Sequence, residues 1–170
     1  METGGTMLKI FTSTHGLRYS QLMEVYAQLN KQKANGYRNT DRNAALVAAE
    51  QDLYDYLKHC FFKRQGSFLA VWENNGIYTS AVRVERYRDG WLINALETAP
   101  DCRRKGYARQ LLRAALADLE EPVYSHVHKD NAASLALHAH CGFVVTAEES
   151  ELLNGSVSKE YYTLTRRKEM

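Results

Sequence analysis

Apolar positions recur at two periods along this chain, and the change of period divides it. Leu22, Val25, Tyr26 and Leu29 stand at helical spacing behind Ser20, a residue suited to cap a helix, so a helix is expected over residues 20–30. A short strand over 7–12 precedes it. The polar stretch 31–43, with Asn35-Gly36, reads as a surface loop or short helix. Leu46, Leu53, Leu57, Cys60 and Phe61 mark a longer amphipathic helix that stops before Gly66.

From Ser67 the pattern becomes that of strands. The apolar run 67–72, the turn Asn74-Asn75-Gly76, the β-forming run 77–87, the turn Arg88-Asp89-Gly90 and the run 91–98 predict a three-strand antiparallel meander. Ala108, Leu111, Leu112, Ala115, Leu116 and Leu119 then make the strongest helix signal in the chain, ended by Pro122. A strand over 123–128, a helix over 131–140 closed by Gly142, and a return to sheet over 143–146 follow. Asn154-Gly155 precedes a last strand over 161–165, closing a hairpin. The order βααβββαβαββ, with no repeat or linker, predicts one α+β domain over 1–170: a mostly antiparallel twisted sheet of about seven strands flanked by about four helices.

Composition narrows the function. At 170 residues, 45% hydrophobic and 25% charged, the chain is long enough for a core that needs no metal or disulfide. A net charge of +2 is too small for a global polyanion-binding field, so nucleic acid is not the expected partner. Cys60, Cys102 and Cys141 lie in no C-x-x-C unit, which points to reduced thiols and a cytoplasmic location. With no apolar run of about 18 residues and no apolar signal core, membrane spanning and secretion are not expected.

The chemistry concentrates in Pro100-Asp101-Cys102-Arg103-Arg104-Lys105-Gly106-Tyr107-Ala108, a strand end that turns into the best helix. Unpaired N–H groups at a helix start, with the positive end of its dipole, stabilise an anion; Gly106 and Ala108 keep side chains clear, and Arg103, Arg104, Lys105 and Arg109 add charge. The stretch reads equally as a solvated basic turn in which Gly106 only permits the bend.

Arg103-Arg104-Lys105-Gly106-Tyr107-Ala108 resembles the [QR]-x-x-G-x-[GA] signature of the GNAT superfamily of N-acetyltransferases. Leu96-Glu97-Thr98-Ala99-Pro100 upstream resembles that family's splayed strand, and Asn131 through Cys141-Gly142-Phe143 resembles its second motif. The resemblance implies acetyl-CoA as co-substrate and an amine-bearing acceptor. It places the backbone around Arg104 to Arg109 on the pyrophosphate, the backbone of Leu96 and Thr98 on the pantetheine arm, and Asn131 and Ser134 near that arm. The family's usual acid, a tyrosine seven residues after the Asn, is here His138; an imidazolium can also protonate a leaving thiolate.

A base is also required, because an amine is protonated at neutral pH. Glu97 is the carboxylate nearest the motif, although strand alternation turns it away from Leu96 and Thr98 unless a bulge intervenes. Glu85, His126 and His128 are further candidates, and Leu92 and Asn94 are expected on the face of Leu96. No metal site is expected: His138 and His140 lie about 200° apart on a helix. Cys102 and Cys141 have no visible base partner, so direct transfer is expected rather than an acyl-cysteine. The alternative function is an acyl-CoA sensor or interaction domain without efficient catalysis, and the polar arm before Asn154 leaves a homodimer open.

Overall fold

The structure, a computed structural model, describes residues 4–38 and 40–168. Seven strands form one sheet in the order β1-β2-β3-β4-β5-β9-β6, from β1 (Thr6–Phe11), β2 (Phe68–Asn74), β3 (Ile77–Tyr87), β4 (Gly90–Thr98), β5 (Val123–His128), β6 (Val144–Ala147) and β9 (Tyr161–Arg166). Every neighbouring pair is antiparallel except β4 with β5. This is the α+β sheet that the alternation of β-formers and tight turns predicts.

Three helices, not two, precede the main meander: α1 (Tyr19–Val25), α2 (Ala27–Asn35) and α3 (Arg42–His59). The helix expected over 20–30 bends at Tyr26, whose ψ of 15° leaves the helical range, and continues as α2 to Asn35, into the stretch read as a surface loop or short helix. Tyr26 is buried and its hydroxyl donates to the carbonyl of Ala95 at 2.9 Å, so a tertiary contact sets the bend. Helices α4 (Tyr107–Leu116) and α5 (Ala132–His140) follow the meander. The polar arm between β6 and β9 adds a small hairpin, β7 (Ser150–Glu151) with β8 (Val157–Ser158).

Two cores divide the sheet's faces. Leu111, Leu112, Ala115 and Leu116 of α4 pack on Val82, Val84, Ile93, Val123 and Val127. Leu22, Tyr26, Leu57 and Phe61 cover Leu69, Val71, Tyr78 and Ala81 on the other face. Removing this apolar surface from water is the main source of stability. All three cysteines are free thiols. Among the described residues, no helix is long and apolar enough to cross a membrane.

Candidate active site

The site begins where the parallel pair opens. Strands β4 and β5 are in register only at Trp91 with Val123, Leu92 with Tyr124 and Ile93 with Ser125, and then part. Their starts are locked together: the Trp91 N–H donates to the Pro122 carbonyl at 3.0 Å, and a Cβ at Gly90 would stand 1.9 Å from that oxygen. Past Ile93, β4 bulges. Its register against β3 steps from Arg83 with Asn94 to Ala81 with Glu97, three residues on β4 against two on β3, and Ala95 has φ +49°. From Asn94 onward the β4 edge that would face β5 has no partner strand.

The bulge corrects the expected facing of side chains. Asn94 lies opposite Arg83, and Glu97 opposite Ala81 beneath the α1–α3 layer, while Leu96 packs toward the α4 core. Leu92 sits with Tyr87 and Tyr124, so Leu92 and Asn94 share a face with Glu97 and not with Leu96. Period-two alternation fails here because the extra residue rotates everything after it by one position.

Beyond β4, a 3-10 turn (Pro100–Cys102) leads to Arg104 at φ +62° and Gly106 at φ +80°, and then to α4. The first helical N–H to find a carbonyl is that of Gln110, on Gly106 at 3.1 Å. Among the described residues, the backbone N–H groups from Arg104 to Arg109 have no protein acceptor. Such a row at a helix start is an anion cradle. Its surroundings are fixed by side chains: Arg103 Nη2 donates to Gln28 Oε1 of α2 at 2.7 Å, and the Tyr107 hydroxyl accepts from Asn74 Nδ2 of β2 at 2.8 Å.

Cradle and splayed strands together enclose a cleft of about 1020 Å³. It gathers Leu96, Glu97, Thr98, Arg103, Arg104, Gly106, Tyr107, Ala108, Arg109, Asn131, Ser134 and His138, which is every residue expected at the site except Lys105. Lys105 turns its ammonium back to the Asp101 carbonyl at 3.5 Å. Asn131 caps α5, its Oδ1 accepting from the Ser134 N–H at 3.1 Å.

His138 is buried at the end of α5, edge-on to Phe143 with ring centroids 5.1 Å apart. Its Nδ1 lies 2.7 Å from the Ser134 carbonyl, which can only accept, so Nδ1 carries the proton. Nε2 therefore accepts from the Ser125 hydroxyl at 2.8 Å. Burial holds the imidazole below its usual pKa, only partly offset by the Ser134 carbonyl, so the ring is neutral at pH 7. The hydroxyl that His138 holds at the cleft is that of Ser125 on β5, which nothing in the local sequence marks out.

On the other face of β5, His126 lines the cleft with Nε2 buried and without a hydrogen-bond partner among the described residues. Burial first, and then Arg88, lower its pKa, leaving a neutral ring. Glu97 is pushed the opposite way: burial raises its carboxyl pKa, and Arg103 offsets part of that rise. Glu85 is committed elsewhere, to Arg64 at 2.5 Å and to Asn94 at 3.0 Å. His128 lies at the cleft edge, edge-on to Tyr161.

Comparisons with known proteins agree on the fold. The structure of the PaiA N-acetyltransferase of Thermoplasma acidophilum in complex with coenzyme A superposes with a TM-score of 0.63 at 13% identity, covering 95% of this chain and 99% of that one. The ribosomal-protein-S18-alanine N-acetyltransferase of Escherichia coli does so with a TM-score of 0.59 at 16% identity, over 94% and 93%. An IAA acetyltransferase from Bacillus cereus gives 0.57 at 16% identity, over 95% and 99%. No match was found among curated proteins. The family model for the acetyltransferase (GNAT) family matches residues 34–143, from α2 through the bulged strand and the cradle to the end of α5, and the chain belongs to that family.

Proposed function

We propose that residues 1–170 act as one domain, an acetyl-CoA-dependent N-acetyltransferase that passes the acetyl group directly to a primary amine. The observation that carries this reading is the row of unpaired N–H groups from Arg104 to Arg109 at the mouth of the splayed β4–β5 pair. That row suits a pyrophosphate, with Arg104 and Arg109 beside it, and the open β4 edge at Leu96 and Thr98 suits an amide-bearing arm. When bound, acetyl-CoA supplies an activated acetyl thioester.

The residues of this chain do the rest. Glu97, turned to the acceptor side by the bulge and raised in pKa by burial, takes the proton from the incoming amine. The Ser125 hydroxyl turns from His138 Nε2 toward the leaving sulfur and stabilises its developing negative charge with a hydrogen bond as the C–S bond breaks, and the second proton shed by the nitrogen as the amide forms ends on that thiolate. His138 holds the Ser125 hydroxyl in place at rest: with Nδ1–H anchored on Ser134, its Nε2 accepts from that hydroxyl, and the neutral ring is not itself an imidazolium donor. His126, with its lone pair on the same acceptor side, is the second candidate base, favoured by its unpartnered Nε2.

Thermal unfolding with acetyl-CoA, free coenzyme A and ATP tests the donor half. At about 100 times Kd, ligand linkage contributes about 2.7 kcal/mol, which is a rise of about 5–10 °C for a chain of this size. A rise with both coenzyme A species and none with ATP, followed by acetylation of a member of an amine panel, supports the reading. A rise without turnover would make the chain an acyl-CoA sensor, and no rise would remove the cradle as a binding site.

A further inference from the structure

Beside the main cleft lies a second cavity of about 320 Å³, walled by Tyr26, Leu29, Leu53, Tyr56, Arg83 and Ala95. The two spaces share Leu29 and Ala95, so they meet at the β4 bulge. Among the described residues, four buried side-chain nitrogen or oxygen atoms lack a hydrogen-bond partner: Trp72 Nε1, Ser80 Oγ, Arg83 Nε and His126 Nε2. Of these, His126 lines the main cleft and Arg83 this cavity.

Arg83 is a half-buried cation with no counterion. Its guanidinium stacks over Tyr56 at 5.0 Å and lies 5.9 Å from the Phe61 ring, and it forms no ion pair among the described residues. The neighbouring carboxylates are already taken. Asp52, also on the cavity wall, pairs with Lys33 at 3.1 Å and accepts from the Tyr37 hydroxyl at 2.5 Å. Glu85 pairs with Arg64. The cavity therefore carries one net positive charge that no carboxylate on its wall balances. A guanidinium fork matches a carboxylate with two parallel hydrogen bonds.

Resting on the acetyl-transfer reading above, we propose that the acceptor is a free α-amino acid with an apolar or aromatic side chain. Arg83 binds its carboxylate, and Tyr26, Leu29, Leu53 and Tyr56 enclose its side chain. The α-amino group is thereby directed past Ala95 toward Glu97, where the two cavities join. Arg83 is thus a specificity-determining residue on the acceptor side; the other cation on the cavity wall, Lys33, is paired with Asp52.

Matched pairs that differ by one carboxylate test this on the full-length protein: L-phenylalanine against phenethylamine, and L-leucine against isoamylamine, each with acetyl-CoA. The expected result is a KM about 10- to 100-fold lower for the amino acid of each pair, the range of one charge-assisted contact. Arg83→Met should abolish that preference by raising KM for the amino acids alone, with the acetyl-CoA thermal shift retained, and Arg83→Lys should recover part of it. Preference for the decarboxylated amine in the wild-type protein, or an equal loss on both members of a pair in Arg83→Met, would overturn the proposal. If Arg83→Met does not fold, the wild-type ratio and Arg83→Lys still decide.

If no amine is acetylated while acetyl-CoA still binds, the transfer reading fails, and calorimetric titration with L-phenylalanine then judges the cavity alone. Binding that phenethylamine does not reproduce supports it, and no binding rejects it.

Discussion

On its α4 side the cleft presents backbone: the N–H groups from Arg104 to Arg109 and the open edge of β4. On its α2 and α3 side the cleft and the adjoining second cavity present side chains drawn from Tyr26, Leu29, Tyr56, Arg83 and Glu97, segments up to 71 positions apart in the chain. A backbone site depends on conformation, so it is written in residues that set conformation, such as Gly106 with φ +80°. A side-chain site depends on what the fold brings together, so it leaves no compact motif. The donor half of such an enzyme is therefore recognisable across distant relatives, whereas the acceptor half has to be read from each structure.

The contrast makes different substitutions damaging on the two sides. The largest effect should come from Gly90→Ala, which forces a methyl group against the Pro122 carbonyl where β4 and β5 start. Urea unfolding should show a loss of about 3–5 kcal/mol, and an unchanged midpoint would mean that the splay does not depend on this close approach. Next, Glu97→Gln should lower kcat at least about 100-fold and leave the acetyl-CoA thermal shift intact, since it alters the acceptor side alone. A larger fall in His126→Phe would move the base to β5.

Gly106→Ala should cost about 1–2 kcal/mol, because an L-residue is strained at that positive φ, and should weaken acetyl-CoA binding without changing the acceptor's KM. A matching change in acceptor KM would blur the division between the two sides.

The smallest effect is a change of slope. His138 has a folded pKa below the 6.5 of the free imidazole, so between those values the unfolded chain binds more protons than the folded one. Its contribution to stability is complete above pH 6.5 and is lost as pH falls through the folded pKa. His138→Gln should flatten the acid limb of stability against pH relative to the wild type, and an identical limb in both would show that the ring is not held neutral.

Legibility followed the same division. The meander was readable because turn residues punctuate it: Ile77–Tyr87 and Val123–His128 run over the residues their patterns predict. The division into α1 and α2 was less so, because Lys31, Gln32 and Lys33 lie on a solvated helix whose polarity leaves loop and short helix undecided. The expected sharing of a face by Leu92, Asn94 and Leu96 failed, since a bulge stabilised by contact with Tyr26 leaves the local pattern of apolar residues unchanged. Ser125 was invisible as a lone serine in an apolar strand, and acquires a role only because α5 sets His138 2.8 Å away.

By itself the sequence determined the meander, the strongest helix and the strand-turn-helix at Gly106, all of which follow from interactions within a few residues: spacing, capping and backbone freedom. Tertiary structure alone decided that Tyr26 bends a helix to hold a bulge, that Ser125 meets His138, and that Arg83 stands uncompensated beside the cleft. Each of these depends on side chains far apart in the chain meeting at distances of a few ångströms, and only the packed sheet and its two helical layers set those distances.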